Sequence, residues 1–181
     1  MRLTLTHHPA GVATSDDGIR VVYDIGADEA RFGAGSVAGP ALLWEVHEGD
    51  PPPQALLSAE VTLDPSEGWL LRCDRIDFSP GGIAYPHTHP GPGIRCQLFG
   101  ELTVETEGRS GTYGPLGAWF ETGPDPVRAV ATGAGDSAFV RVMLLPREWE
   151  GRRTIRYVDP ADADKPKKQR ATVFFDRHIE L

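Results

Sequence analysis

The stretch Gly82-Ile-Ala-Tyr-Pro-His-Thr-His-Pro90 carries two histidines, His87 and His89, at positions i and i+2. On a β-strand such positions point to the same face, so both imidazoles can reach one ion. If the ion were zinc, each ligating nitrogen would lie at about 2.0 to 2.1 Å from it. The alternative is a pair of surface histidines beside a turn. The spacing therefore makes this stretch the first candidate for a metal site.

The chain on either side of this stretch is built from short apolar runs separated by Gly and Pro turns. Residues 69–78 combine β-branched and aromatic side chains with partial alternation and end in Ser79-Pro-Gly-Gly82, which is typical of a strand followed by a turn. Similar runs predict strands at 19–23, 41–46, 94–99, 102–106, 118–121, 127–131, 137–145 and 171–178. Many short strands with regular turns predict an all-β sandwich, barrel or jelly roll.

The composition is that of one globular domain. With 181 residues, 40% of them hydrophobic, the chain is long enough for a single core and short for two. The 21 glycines and 16 prolines are scattered, so they mark turns and do not form a fibrous repeat. A net charge of −8 excludes a free nucleic-acid surface, and we interpret the basic cluster at 165–170 as a solvated loop.

The cysteine count and the hydropathy pattern favour a cytoplasmic protein. Two cysteines, Cys73 and Cys96, do not make a disulfide framework, and a reducing compartment is the expectation. Residues 1–8 lack the apolar core of a signal peptide. No run approaches the roughly 18 apolar residues of a membrane span, so no membrane partner is expected.

Residues 65–146 resemble the cupin superfamily. Gly82, His87, His89 and Gly100 fall on the glycine, the His-x-His pair and the closing glycine of the first cupin motif, and residues 117–126 resemble the second motif. The resemblance implies a jelly-roll β-barrel with a metal in its mouth. Residues 1–64 would then form an N-terminal arm and outer strands, and residues 147–181 a C-terminal arm, within one domain overall.

Two positions depart from the cupin pattern. The glutamate of the first motif should fall at or next to Gly93, and the histidine of the second motif near Arg128, whose guanidinium cannot ligate a metal. Strand parity offers Gln97 as one replacement ligand, with its carbonyl oxygen, if position 93 faces inward. Glu121 is the other replacement, and it would complete a two-histidine, one-carboxylate set that suits non-haem iron. The alternatives are a hydrogen-bonded polar residue for Gln97 and a salt-bridged rim residue for Glu121.

Two arginines and two aromatic residues are the candidates for substrate binding. Arg95 has the inward parity of Gln97, and Arg128 stands where the motif histidine is expected; two guanidiniums can clamp a carboxylate. The alternative is that these arginines pair with internal acids such as Asp74 or Asp77. Tyr85 and Trp119 can wall the pocket, although aromatic residues at such positions also simply pack.

These features leave two functions open. The first is a metal-dependent cupin enzyme of dioxygenase, isomerase or lyase type that acts on a small acidic metabolite, with Fe, Zn, Mn or Ni not distinguished. The second is a non-catalytic cupin that binds or senses a small molecule, and for which the arginines matter more than the histidines. A third option is a structural dimer whose barrel is simply packed, and the long N- and C-terminal arms favour a homodimer.

Overall fold

The computed structural model describes residues 1–181 and is almost entirely β-sheet, which confirms the predicted fold class. The first part of the chain forms the N-terminal sheet, ordered β4-β3-β6-β1-β7. Its strands are β1 Arg2–His8, β3 Ile19–Asp24, β4 Glu29–Phe32, β6 Ala41–His47 and β7 Ala55–Glu60. A two-stranded ribbon of β2 Val12–Thr14 and β5 Gly35–Val37 completes this region.

Two further five-stranded sheets follow. The middle sheet, ordered β13-β10-β15-β8-β17, contains β8 Trp69–Phe78, β10 Gly93–Phe99, β13 Ala118–Glu121, β15 Ser137–Pro146 and β17 Gln169–Ile179. The distal sheet, ordered β12-β11-β14-β9-β16, contains β9 Ile83–Thr88, β11 Leu102–Thr106, β12 Arg109–Tyr113, β14 Val127–Ala131 and β16 Arg156–Tyr157. Two 3-10 helices lie at Arg147–Trp149 and Pro160–Ala163.

The middle and distal sheets form the jelly roll. From β8 onward the chain passes back and forth between them, and only the β11–β12 hairpin stays in one sheet. Every strand pairing is antiparallel. Side chains from both sheets build one apolar cluster that includes Ile76, Phe139, Ala84 and Val127, so the two sheets face each other.

The middle sheet buries both of its faces. Alternate residues of β8 and β15, such as Cys73, Val140 and Val142, pack against the N-terminal sheet in the largest apolar cluster. The indole Nε1–H of Trp44 donates to the carbonyl oxygen of Ile94 at 3.2 Å and ties the N-terminal sheet to β10. The residues in between point the other way, toward the distal sheet, because side chains alternate along a strand.

The C-terminal strand, β17, pairs with a strand of its own chain. β17 pairs along its length with β8 at the edge of the middle sheet. Cys73 and Cys96 are buried and unpaired, and β15 lies between their strands. None of the helices has the length and apolar character needed to cross a membrane.

Candidate metal and ligand site

A cavity of about 500 Å³ lies between the middle and distal sheets. His87, His89, Glu121, Arg141 and Asp74 form a polar group in its wall. Apolar residues of the cluster shared by the two sheets line another part of the wall, and the rest includes Arg72, Arg152, Arg153, Lys167 and Asp176. The predicted His-x-His pair therefore faces a cavity between the sheets.

The two imidazoles converge on one point. Their Nε2 atoms lie 3.2 Å apart, with the ring planes nearly perpendicular at 85°. His87 lies near the end of β9, and His89 follows that strand, held by its backbone N–H, which donates to the Gly123 carbonyl oxygen at 2.7 Å. Both side chains are buried.

Hydrogen bonds fix which nitrogen of each ring carries the proton. The Nδ1 of His87 lies 2.7 Å from the Tyr85 carbonyl oxygen, which can only accept, so Nδ1 is the donor. The Nε2 of His89 lies 3.3 Å from Nη1 of Arg141, which can only donate, so this Nε2 carries a lone pair. In the neutral rings two lone pairs therefore face each other across 3.2 Å, an arrangement that a cation between them would relieve.

Burial keeps both imidazoles neutral. Desolvation lowers the pKa of His87, partly opposed by the hydrogen bond to Tyr85. Desolvation and the nearby cations Arg141 and Arg95 place the pKa of His89 well below its usual value. At neutral pH both rings are therefore unprotonated.

Two buried ion pairs surround the histidines. Arg141 donates two hydrogen bonds to the Asp74 carboxylate, from Nε to Oδ1 at 2.6 Å and from Nη2 to Oδ2 at 3.0 Å. Burial by itself would lower the pKa of Arg141, but the Asp74 carboxylate outweighs it and the pKa is raised. Arg95 is fully buried and contacts Glu121, with 2.6 Å between Nη2 and Oε2. Burial lowers the pKa of Arg95 to about 10, so its guanidinium stays charged at neutral pH.

Glu121 offers an oxygen to the histidines. Its Oε1 accepts a hydrogen bond from Trp119 Nε1 at 2.8 Å. Its Oε2 lies 3.7 Å from Nε2 of His89 and accepts no hydrogen bond, because the 2.6 Å contact with Arg95 lacks hydrogen-bond geometry. Glu121 therefore lies near His89 but forms an ion pair with Arg95, and its role as a third ligand stays a prediction.

The imidazole pair fits a single transition-metal ion. With bonds of about 2.1 Å, a 3.2 Å separation of the nitrogens corresponds to an angle of roughly 100° at the ion, between the octahedral and tetrahedral values. The complete ligand set is not assembled, since no group of three or more His, Cys, Asp or Glu side chains is arranged to hold an ion. Arg141 also occupies the lone pair of His89 that an ion would need.

Gln97 and Arg95 have the inward parity expected for β10 but do not line the cavity. The Gln97 amide nitrogen donates to the Phe99 carbonyl oxygen at 2.8 Å and to Ser137 Oγ at 2.6 Å, whereas the side-chain carbonyl oxygen, the atom that a metal would need, is buried without a hydrogen-bond partner. Arg95 is held by Glu121 and by its own strand, through a hydrogen bond from Nη1 to the Gly93 carbonyl oxygen at 2.6 Å. The partner acid of Arg95 is thus Glu121, where the sequence suggested Asp74 or Asp77.

Of the other predicted substrate residues, the structure brings only Trp119 to the cavity. Arg128 lies on the opposite face of β14 from Val127 and Ala129 and pairs with Glu105 at 3.0 Å near the surface. Tyr85 is displaced by an irregularity in the β9–β14 pairing, which matches Val127 with His87 but Ala129 with Ala84. This bulge puts Ala84 and His87 on the cavity side, and the Tyr85 ring instead packs under Lys165 Nζ at 4.8 Å.

Sequence reasoning missed Arg141 and the segment 151–155, both of which line the cavity. The sequence does contain an indication that Arg141 is special. It is the one charged residue in the otherwise apolar run 137–145, and a buried charge needs a partner. The segment 151–155 carries no such indication, because a loop without regular periodicity does not show what it covers.

Gly93 shows why the motif glutamate is missing. A Cβ at this position would lie 2.5 Å from the Val142 carbonyl oxygen and 2.9 Å from Cγ of Met143 on the neighbouring strand β15. No side chain fits there without moving the backbone. The absence of a carboxylate at 93 is therefore tied to the close approach of β10 and β15.

No protein-family model matches the sequence, and no curated protein matches it. Among solved structures, a recombinant oxalate oxidase in complex with glycolate aligns at 23% identity and a TM-score of 0.39, over 40% of this chain and 41% of that one. A polyketide cyclase from Streptomyces resistomycificus aligns at 23% identity and a TM-score of 0.40, over 52% and 63%. A cupin 2 domain-containing protein from Halorhodospira halophila aligns at 17% identity and a TM-score of 0.42, over 57% and 78%.

This chain has a jelly-roll fold. The topology of the middle and distal sheets agrees with the resemblance of residues 65–146 to the cupin superfamily. The matched regions cover less than two thirds of the oxalate oxidase and polyketide cyclase chains. In this chain the His-x-His pair is present, and Nη1 of the buried Arg141 lies 3.3 Å from Nε2 of His89.

Proposed function

We propose that this protein holds one divalent transition-metal ion through Nε2 of His87 and Nε2 of His89 and binds a small acidic molecule beside it. The observation that carries the proposal is the pair of unprotonated Nε2 atoms facing each other at 3.2 Å in a buried cavity. Glu121 Oε2, 3.7 Å from Nε2 of His89, would be the third ligand if it moved away from its ion pair with Arg95.

The residues around the pair support chemistry of the dioxygenase, isomerase or lyase type. A bound ion would act there as a Lewis acid toward a substrate oxygen. The Tyr85 carbonyl orients His87 through Nδ1, as outer partners of metal-bound histidines generally do. Arg141 carries a positive charge into the cavity wall and can hold an anionic substituent of the substrate, although Asp74 balances much of that charge.

Replacement of either histidine should strongly weaken metal binding. We expect His87→Ala and His89→Ala each to weaken the affinity for Zn²⁺ by more than about 100-fold, because only two nitrogen ligands are present. Replacing a residue that merely hydrogen-bonds to a metal ligand already costs about 10- to 100-fold in affinity. Competition titration against a chromophoric chelator measures this. His178→Ala is the matched control, because that imidazole is exposed and pairs with Glu150; its affinity should equal that of the wild type. Unchanged affinity in both cavity variants would contradict the proposed ligands.

A non-catalytic binding cupin is the second candidate, and the contact between Arg141 and His89 favours it. In that case the Arg141 guanidinium occupies the position of an ion and the cavity binds its ligand without metal. Thermal unfolding with carboxylates, with and without a chelator, separates the two functions. Stabilisation that survives the chelator supports the second candidate.

We further infer a cytoplasmic homodimer. Both thiols are buried and unpaired, in keeping with a reducing compartment. β17 is an eleven-residue strand at one edge of the middle sheet, and unpaired strand edges favour association with a second copy. Light scattering coupled to gel filtration should give twice the chain mass; the mass of one chain across a range of concentrations would contradict the dimer.

A further inference from the structure

The cavity has two unlike halves. Its polar half contains the histidines with Glu121, Arg141 and Asp74, together with the further charged residues Arg72, Arg152, Arg153, Lys167 and Asp176. Its other half is lined by apolar side chains of the cluster shared by the two sheets, namely Ile76, Phe78, Ala84, Trp119, Val127, Ala129 and Phe139. A small, highly charged acid would fill the polar half and leave the apolar half without a partner.

Aromatic rings form one continuous wall of the apolar half. Trp119 meets Phe139 edge to face, with ring centroids 5.1 Å apart, and Phe139 meets Phe78 at 6.2 Å. The far side of Trp119 is stacked on Tyr113 at 4.8 Å, which fixes the indole plane. Such a wall favours a flat ligand that can pack on aromatic rings.

Two alanines leave the room for that ligand. Ala84 on β9 and Ala129 on β14 are directly paired in the distal sheet, and both line the cavity. Larger side chains at these positions would project between the two sheets. The empty volume thus depends on two neighbouring small residues.

The electrostatics of the wall favour an anion. Five cationic side chains and three acidic ones line the cavity, although the chain as a whole carries a net charge of −8. Arg72 and Arg141 are paired with Asp176 and Asp74. Arg152, Arg153 and Lys167 form no ion pair, although Lys167 Nζ donates to three backbone carbonyl oxygens and Arg153 donates to the Tyr157 hydroxyl. Arg152 and Arg153 belong to the segment 151–155, which lines the cavity together with His89.

We propose that the ligand of this cavity is an amphiphilic acid with a flat, apolar body of about the size of two fused rings and a single anionic group. The body packs between the aromatic wall and the pair Ala84 and Ala129. The anionic group lies at the polar half, near the histidines and the segment 151–155. This inference rests on the proposed function in placing the ligand at the same site, and it specifies the ligand class.

The direct test uses 2-naphthoate as the probe. At one hundred times its dissociation constant it should raise the thermal unfolding midpoint by about 5 °C. Acetate and malonate at equal concentration should not, because they cannot fill the apolar half. The neutral isostere 2-naphthalenemethanol should bind at least tenfold more weakly, because it lacks the charge.

Two sets of variants locate the probe. Ala129→Leu or Ala84→Leu should weaken 2-naphthoate binding at least tenfold, because the larger side chain would occupy the space between the two sheets that the naphthalene rings need. Ala13→Leu, on an exposed position of β2, is the matched control. Arg152→Gln with Arg153→Gln should weaken the acid several-fold but not the alcohol.

The outcomes separate this inference from the metal proposal. If chelator-treated protein binds 2-naphthoate and the protein binds no metal in the titration, the metal proposal is contradicted and the inference about the ligand class is supported. Stabilisation by malonate but not by 2-naphthoate, equal binding of the alcohol, or no effect of either alanine variant in folded protein would overturn the inference, whatever the metal content.

Discussion

Replacement of Asp74 by alanine should destabilise the protein by about 3 to 5 kcal/mol, because it leaves the Arg141 guanidinium buried without a counter-charge. Both side chains of this pair are almost inaccessible, at 6% and 3%, and two hydrogen bonds join them. Denaturant unfolding of Asp74→Ala against the wild type measures the difference.

Two comparisons show whether burial is the cause. Glu105→Ala breaks the exposed pair with Arg128 and should cost less than about 1 kcal/mol. A double variant, Asp74→Leu with Arg141→Met, removes both charges and should recover most of the stability lost in Asp74→Ala. An Asp74→Ala loss no larger than that of Glu105→Ala would contradict the buried network described here.

Restoring the cupin glutamate at position 93 should unfold the protein rather than complete the metal site. Already Gly93→Ala should cost about 3 kcal/mol, since the added Cβ would lie 2.5 Å from the Val142 carbonyl oxygen and the two paired strands would have to separate. Gly93→Glu adds a longer side chain to the same clash. Circular dichroism and thermal unfolding of both variants test this.

Gly39→Ala is the control for the glycine series. No atom lies within 4 Å of a Cβ at that position, and the change should leave stability within about 0.5 kcal/mol. A folded Gly93→Glu protein that binds metal more tightly than the wild type would show that β10 and β15 can move apart, and it would contradict our explanation for the missing ligand.

Much of the jelly roll could be predicted because its strands alternate cleanly between turns. The runs 102–106, 118–121 and 127–131 coincide with β11, β13 and β14. In the N-terminal sheet, the runs 19–23 and 41–46 predicted β3 and β6, but β1 was not predicted. β1 does carry a period-two signal, because Leu3 and Leu5 pack in the core and alternate with Thr4 and Thr6.

The site was predictable only where strand parity held. Strand parity correctly put Arg95 and Gln97 on the inward face of β10. It could not reveal that Arg95 forms an ion pair with Glu121 or that the Gln97 amide donates a hydrogen bond to Ser137. Parity failed for Tyr85 because a bulge in β9 shifts the register between Ala84 and His87. Contacts between distant strands, such as Arg141 with His89, become visible only in the folded chain.

The central claim is that His87 and His89 together hold one transition-metal ion. Elemental analysis of protein grown without added metal and purified without an affinity tag tests it most directly. We expect close to one equivalent of a single transition metal per chain, retained through gel filtration. Less than a tenth of an equivalent of any transition metal, unchanged after incubation with Fe²⁺, Zn²⁺, Mn²⁺ and Ni²⁺ and removal of the excess, would contradict the claim.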